Sequence, residues 1–288
     1  MSVYDKQTLR RLQLSLWDIY HVFADFCDQH QLTYFATYGT ALGAVRHQGF
    51  IPHDDDIDIG MPRADYERFL DLARHFPDDR FEVIDPIHTP NYTIVFAKFC
   101  LKESTFLESA HPKRKYHTGL FLDIIPFDST SADSKERARQ IRRCRMLTRL
   151  STLSTYADPS LPDGIHPVVA KLMLFGCRVI HGGMKLLGIT RDRILQAYTK
   201  EATRFNNQNS DWLIDLSVPD SQNTVIDRTS VFPVKDMPFE DGMIRMPAYP
   251  DVHLVRYYGN YHRMPKESEQ HTHAPALLDF EKRVSLDD

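Results

Sequence analysis

Four aspartates within five positions are the residues of this chain best suited to chemistry. They are Asp54, Asp55, Asp56 and Asp58. The last two alternate with Ile57 and Ile59, and a period of two is typical of a strand that projects Asp56 and Asp58 from one face, with Cα atoms about 6.5–7 Å apart. Neighbouring carboxylates repel each other unless a cation lies between them. Oxygen ligands without sulfur or an imidazole cluster favour a hard cation, Mg²⁺ or Mn²⁺.

A glycine-containing segment precedes the aspartates. Gly39 and Gly43 follow the apolar stretch 32–38, and we expect a short turn that lets the backbone approach a bulky anion. Thr40 adds a hydroxyl donor and Arg46 a cation for phosphate oxygens. Such a turn followed by paired carboxylates is typical of metal-assisted phosphoryl or nucleotidyl transfer. The alternative is that the first two aspartates form only a solvated turn.

A further aspartate interrupts a strongly apolar run. Residues 120–125 are apolar except for Asp123, and such a run is typical of a strand buried on both faces. A carboxylate there is costly unless it is paired or bound to a cation, so Asp123 is a candidate metal ligand or general base. The alternative is that Asp123 lies at the strand end and caps the turn before Pro126. We predict that Asp128 is a turn residue.

These segments resemble the LicD family of phosphotransferases, which belongs to the nucleotidyltransferase-fold superfamily and is related to fukutin-type ribitol-phosphate transferases. The resemblance rests on residues 39–47, 49–58, 61–66 and 119–128, and on short pieces at 258–261 and 264–265. The chain departs from the family pattern at two positions. Tyr38 stands where a second glycine is usual, and His53 stands where tryptophan is usual.

The resemblance implies transfer of phosphocholine, or of a similar alcohol phosphate, from a CDP-activated donor to a sugar hydroxyl of a cell-surface glycan or glycolipid precursor, with release of CMP. CDP-choline is the expected donor, and Mg²⁺ or Mn²⁺ the expected cofactor. The implied catalytic and metal-binding residues are Asp56, Asp58 and Asp123. The predicted donor-phosphate contacts are Gly39, Thr40, Gly43 and Arg46. Candidates for a supporting role are His53, Asp54, Asp55 and Arg63.

Two other functions are compatible with these residues. A nucleotidyltransferase would use the same carboxylates to move NMP from an NTP to a sugar or small molecule. A non-catalytic binding protein on the same fold is the second alternative, and the intact carboxylates argue against it. Choline, ribitol, glycerol and ethanolamine all stay open as the donor alcohol. A quaternary ammonium would favour an aromatic cage, for which the candidates are Tyr38, Tyr92, Tyr116, Tyr257, Tyr258 and Tyr261.

The composition is that of an ordinary globular protein. The chain has 288 residues, 42% hydrophobic and 26% charged, which is enough for a substantial core. Its net charge of −4 argues against a general nucleic-acid binder. The four cysteines lack the spacing of a zinc site or a disulfide framework. The sequence shows neither a signal peptide nor an apolar run of the roughly 20 residues that span a membrane, so we expect a cytoplasmic enzyme, with contact at the inner face of the membrane still open.

Periodicity predicts an α/β (α+β) fold: a nucleotidyltransferase-like mixed sheet flanked by helices, with a mainly helical second half. We divide the chain into a catalytic core, residues 1–128, and a C-terminal region, residues 129–288, that completes the substrate site. Helical spacing covers 8–30 and 64–76, and strands are expected at 32–38, 57–61, 81–85, 92–101 and 120–125. Lys98 is expected on an edge strand with a solvated head, and contact with a donor phosphate is the alternative.

Two basic helices are predicted in the second half. Residues 135–153 are rich in arginine, and residues 168–187 are apolar with scattered basic residues. Such helices could form a patch on a membrane surface. The simpler interpretation is a helical lobe whose basic side chains are solvated or paired.

Overall fold

The computed structural model describes residues 5–108, 114–161, 164–208, 210–219, 221–264 and 274–284. It shows the predicted mixed α/β fold, a mixed sheet flanked by helices. Within these residues the helices are α1 (Lys6–Gln29), α2 (Tyr38–His47), α3 (Arg63–Ala73), α4 (Ser134–Thr155), α5 (Pro167–Leu186), α6 (Arg191–Ala202), α7 (Arg228–Val231) and α8 (Pro250–Tyr258).

The strands are short, and the longest of them, Phe121–Ser129, pairs with three others in the main sheet. They are β1 (Phe35–Ala36), β2 (Asp58–Pro62), β3 (Phe81–Ile84), β4 (Ala97–Leu101), β5 (Thr105–Leu107), β6 (Phe121–Ser129), β7 (Trp212–Asp215), β8 (Ile226–Asp227), β9 (Lys235–Phe239), β10 (Gly242–Met246) and β11 (Leu277–Asp279). The main sheet has the order β1-β2-β6-β4-β3, and β7 and β8 extend it beside β6. Strands β2 and β6 run parallel, whereas β4 runs antiparallel to β6.

The sheet register aligns three charged residues. Asp58 of β2 is the partner of Asp123 of β6, and Asp123 is also the partner of Lys98 of β4. Partner residues on neighbouring strands project from the same face. The three side chains therefore form one row across three adjacent strands, which we call the charged row. The prediction that Lys98 lies on an edge strand is wrong, because β4 lies between β6 and β3.

Aromatic side chains fill the opposite face of the sheet. Phe99 follows Lys98 along β4 and therefore points away from the charged row. Its ring lies 5.9 Å from that of Phe23 in α1 and 6.3 Å from that of Phe69 in α3, and all three side chains are fully buried. Helices α1 and α3 thus cover one face of the sheet, and the charged row occupies the other.

The second half of the chain adds two strands, β7 and β8, to this sheet. It also supplies further helices. Helix α4 packs mainly against α6, and β7 pairs with the end of β6. Strand β6 runs to Ser129, across the predicted boundary at residue 128, so that division stays a prediction. No single helix among the described residues is long and apolar enough to cross a membrane. Helix α5 and the segment Arg191–Phe205 reach that length and hydropathy only as a pair bent by 97°.

Candidate active site

Lys98 supplies the positive charge of the charged row and contacts two carboxylates. Its Nζ donates to Oδ1 of Asp123 at 2.7 Å and lies 3.7 Å from Oε1 of Glu108. The ammonium also lies 3.4 Å from the centre of the Phe121 ring, and only 1% of the Lys98 side chain is exposed. Burial alone would lower the pKa of Lys98, but the carboxylates of Asp123 and Glu108 raise it to about 12. The lysine is therefore charged, and its positive charge compensates the negative charge of Asp123 within the apolar strand β6.

The carboxylates of this region repel one another. Burial, followed by the charges of Asp56 and Asp123, raises the pKa of Asp58 well above its usual range. Burial and the charge of Asp56 do the same to the pKa of Asp54. Burial also raises the pKa of Asp123 to about 6, although Lys98 opposes that shift. Acidic groups from the loop before β2, from β2 itself and from β6 thus share one electrostatic environment.

The loop between α2 and β2 carries the other predicted acidic residues. Asp55 is buried, whereas His53, Asp54 and Asp56 are partly exposed. Strand β2 begins at Asp58, so Asp56 lies just before the strand. The hydrogen bonding between β2 and β6 nevertheless extends one residue before β2, because the amide of Asp123 donates to the carbonyl of Ile57 at 3.0 Å.

The donor chemistry of the carboxylates suits a hard divalent cation. Within the described parts of the chain, no three histidine, cysteine or acidic side chains are placed to hold one metal ion together, and Oδ1 of Asp123 is taken by Lys98. Magnesium commonly takes only one or two protein carboxylates and completes its shell with water and substrate phosphates. Asp56 and Asp58, which repel each other, fit that role. The metal itself stays a prediction.

The glycine segment is the start of a helix. Residues Tyr38–His47 form α2, so the predicted short turn is wrong. Oγ1 of Thr40 accepts a hydrogen bond from the amide of Asp58 at 2.8 Å. A Cβ atom on Gly39 would lie 2.7 Å from Oδ2 of Asp54. The first turn of α2 thus lies directly against the acidic segment, and a helix N-terminus attracts anions such as phosphate.

The four predicted donor-phosphate contacts do not lie together. Arg46 is in the last turn of α2, about 9 Å along the helix axis from Thr40, and its Nη1 donates to the carbonyl of Tyr261 at 3.0 Å. A Cβ atom on Gly43 would lie 2.5 Å from the carbonyl oxygen of Gly49. Gly43 therefore permits close backbone packing, whereas Gly39 and Thr40 lie beside the carboxylates.

Arg63 lies at the other end of β2, about 16 Å along the strand from Asp58. Its Nε and Nη2 atoms donate to the two carboxylate oxygens of Asp128 at 2.8 and 2.6 Å, and the Asn206 amide also donates to Asp128. Asp128 is buried within β6, so its prediction as a turn residue is wrong. The pair links α3 to β6, at a distance from the charged row.

The unusual Tyr38 adopts a conformation that favours glycine. Its φ is +46°, in the left-handed region, where a non-glycine residue costs about 1–2 kcal/mol. Its hydroxyl donates to Oδ2 of the buried Asp215 at 2.5 Å, and its ring lies 4.7 Å from that of Tyr257. The hydrogen bond and the ring packing offset the backbone strain. Helix α2 therefore begins at a tyrosine in the backbone conformation that favours glycine, the residue that the family usually has there.

Tyr258, one of the predicted candidates for an aromatic cage, lies near the carboxylates, since burial, followed by the charge of Asp58, raises its pKa. Two further residues that support the site were missed by the sequence interpretation: Glu108, which lies beside Lys98, and Asp215, which accepts a hydrogen bond from Tyr38. Neither belongs to a motif, so only the tertiary structure could reveal them. Lys98 did carry a signal, since it interrupts an apolar strand.

Comparison with known proteins identifies the domain that contains the charged row. Residues 31–145 match the family described as LicD/FKTN/FKRP, nucleotidyltransferase domain. The chain contains a LicD-family domain. That domain includes α2, α3 and strands β1 to β6, so every residue of the charged row lies inside it. Of the resemblance segments seen in the sequence, Pro265 lies outside the described residues.

Three relatives match part of this chain. The lipopolysaccharide cholinephosphotransferase LicD of Haemophilus influenzae is 33% identical over 135 residues, which cover 45% of this chain and 48% of that protein. An uncharacterised protein of Rickettsia prowazekii is 44% identical over 126 residues, covering 37% and 47% of the two chains. One of Rickettsia typhi is 40% identical over 63 residues, covering 22% and 20%. The chain thus spans less than half the length of each relative.

Proposed function

We propose that this protein transfers phosphocholine, or a similar alcohol phosphate, from a CDP-activated donor to a sugar hydroxyl of a cell-surface glycan or glycolipid precursor, and releases CMP. The observation that carries the proposal is the charged row beside the start of α2, inside a LicD-family domain, in a chain that is 33% identical over 135 residues to a lipopolysaccharide cholinephosphotransferase. Carboxylates and a helix N-terminus are the elements that a pyrophosphate substrate with a divalent cation requires.

Each part of the site then has a role. Asp56 and Asp58 would hold Mg²⁺ or Mn²⁺, with Asp123 beside them. When bound, the ion supplies positive charge to the donor pyrophosphate and to the departing CMP. The first turn of α2, at Gly39 and Thr40, would receive phosphate oxygens through its amides. This arrangement orients the phosphorus atom for in-line attack, which is the main catalytic requirement in phosphoryl transfer.

Asp123 is the proposed general base. The acceptor oxygen forms a bond to the phosphorus that carries the alcohol, the bond from that phosphorus to the CMP oxygen breaks, and the hydroxyl proton passes to Asp123. Lys98 holds Oδ1 of Asp123 at 2.7 Å, so it keeps the carboxylate ionised and in place. A base with a pKa of about 6 is ionised at neutral pH and can still accept a proton.

A cationic head group is the favoured donor alcohol. The rings of Tyr257 and Tyr258 lie 4.9 Å apart, and Tyr258 lies near Asp58, whose charge, after burial, raises the pKa of Tyr258. A quaternary ammonium is attracted both by aromatic faces and by surrounding negative charge. These contacts support choline over the neutral alcohols ribitol and glycerol.

The test compares donors and products. The purified protein is incubated with Mg²⁺, a lipopolysaccharide acceptor and, in separate reactions, CDP-choline, CDP-ribitol, CDP-glycerol, CDP-ethanolamine or each NTP, and released CMP and pyrophosphate are measured. We expect CMP from CDP-choline, lost in Asp56→Asn and Asp58→Asn and kept in Asp71→Asn, a control on the exposed side of α3. Pyrophosphate release from an NTP would instead establish the nucleotidyltransferase. No turnover together with no divalent-metal binding would indicate a binding protein.

A further inference from the structure

Helix α5 turns an apolar stripe away from the protein. Val168, Leu172, Phe175, Val179 and Leu186 recur at steps of four, three, four and seven residues, so they share one helix face. Their exposed fractions are 59%, 66%, 66%, 58% and 88%. An amphipathic helix of a globular protein normally buries such a stripe. We call these five residues the outer stripe of α5.

The other face of α5 attaches the helix to the protein. Met184 is buried, and Nδ1 of His181 lies 2.7 Å from the carbonyl oxygen of Leu153 in α4. Leu174 and Cys177 lie near this inner side and are partly buried. The contact with α4 therefore does not use the outer stripe, which stays exposed.

Basic side chains border the outer stripe. Lys171, Arg178 and Lys185 recur every seven residues and form a second row along the helix, adjacent to the apolar one. Helix α5 contains no aspartate or glutamate. Arg178 is paired with Asp158 of the preceding loop, at 2.7 Å, and both lysines are exposed. Helix α4, which packs on α5, has seven basic residues and one acidic residue.

We propose that α5 lies in the surface of an anionic lipid bilayer, with the outer stripe among the acyl chains and Lys171 and Lys185 at the lipid phosphates. An apolar face bordered by basic residues is typical of helices that lie in the plane of the membrane interface. A second copy of the chain fits less well. Antiparallel two-fold pairing of α5 would bring the basic rows of both copies together with no acidic residue on the helix to compensate them.

This membrane surface is separate from the candidate active site and does not depend on the reaction catalysed there. If the acceptor is a glycolipid, attachment through α5 would hold the enzyme on the same surface as its substrate. Attachment would raise the effective concentration of that acceptor without any new contact at the charged row.

Co-sedimentation with vesicles tests the proposal. The full-length protein is mixed with vesicles of 70% phosphatidylcholine and 30% phosphatidylglycerol at physiological salt. We expect the wild type to pellet, and the bound-to-free ratio to fall at least tenfold in Leu172→Ser/Phe175→Ser/Val179→Ser. The control Leu14→Ser/Met243→Ser/Val255→Ser removes three exposed apolar residues elsewhere and should pellet like the wild type. Circular dichroism and thermal unfolding confirm that each variant is folded.

Three further measurements separate the membrane from other partners. Lys171→Glu/Lys185→Glu should weaken binding to anionic vesicles, and Phe175→Trp should gain fluorescence that brominated lipids quench. The proposal is overturned if the wild type stays in the supernatant, if the outer-stripe variant binds normally, or if brominated lipids leave the added emission of the Phe175→Trp variant unchanged. Sedimentation velocity without lipid would reveal a dimer that the outer-stripe variant abolishes, and that result would assign the surface to a second copy.

Discussion

Replacing Lys98 by methionine tests the charged row most directly. Methionine keeps much of the apolar stem against Phe121 but removes the charge that lies 2.7 Å from Asp123. Removing one partner of a buried pair typically costs about 3–5 kcal/mol. We expect the free energy of unfolding to fall by about 3 kcal/mol, the low end of this range. The reason is that 14% of the Asp123 side chain is exposed and this carboxyl can take up a proton.

The same change moves the pKa of Asp123 upward. An opposite charge at this distance typically shifts a carboxyl pKa by about one to three units, so the value of about 6 would become about 7–9. The ionised fraction at pH 7 then falls from about 90% to between about 50% and 1%. CMP release at pH 7 should therefore fall about two- to ninety-fold, and it should recover as the pH approaches 9.

Two matched variants test the direction in which the pH dependence of CMP release moves. Glu108→Gln removes a charge that raises the pKa of Asp123, so its rate profile should move to lower pH. Lys102→Met removes a lysine outside the charged row and should leave the profile unchanged. The reasoning is refuted if folded Lys98→Met shows the wild-type pH dependence of CMP release.

Thermal unfolding gives a readout that needs no substrate. Because the folded pKa of Asp123 exceeds 3.8, the native state holds this proton more tightly than the unfolded state does, and stability falls as the pH rises from about 3.8 to about 6. In Lys98→Met this fall should continue to about pH 7–9. A curve parallel to that of the wild type would contradict the assignment.

The remaining predictions concern the site and its support. Asp58→Asn should abolish CMP release, yet raise the melting temperature of the metal-free protein at pH 7 more than at pH 4, because burial and Asp56 raise the pKa of Asp58; an equal effect at both pH values would argue against the repulsion. Asp128→Ala should cost about 3–5 kcal/mol in urea unfolding, because it leaves the guanidinium of buried Arg63 unpaired; a loss below about 1 kcal/mol would contradict this. Gly119→Ala should destabilise the protein in the same assay, since its Cβ would lie 1.8 Å from a carbonyl oxygen of β4, and wild-type stability would disprove that close approach. Tyr258→Leu should raise KM for CDP-choline several-fold with little effect on KM for CDP-glycerol, and equal changes for both donors would exclude a role in recognising the cation.

The local elements were largely predictable from the sequence. The helical spacing at 8–30 and 64–76 corresponds to α1 and α3, and the strand expected at 81–85 corresponds to β3. The glycine segment was the main error. Glycine is unfavourable in a helix interior, but Gly43 lies in α2 because only a residue without a side chain fits against the backbone of Gly49. The residues between Gly43 and Gly49 are the last turn of α2 and its C-cap Gln48, and no residue type in that segment predicts the contact.

The strand that carries Lys98 shows the same limit. Residues 92–101 alternate as a strand would, but only Ala97–Leu101 pair in the sheet. Whether a strand lies at the edge or in the centre depends on partners far away in the chain, here β3 and β6. The central position buries Lys98 and gives it a carboxylate partner. The expected solvated head group is therefore buried and paired instead.

Residue type and a period of two are local properties, so they predict which side chains could do chemistry and that Asp58 and Asp123 lie on strands. Which strands are neighbours is a property of the whole fold, and the fold places Asp58, Asp123 and Lys98 in one row. Strand register sets that arrangement: a slip of one residue would move Asp123 to the opposite face of the sheet. Register depends on packing between segments that are distant in the chain, and no local pattern encodes it.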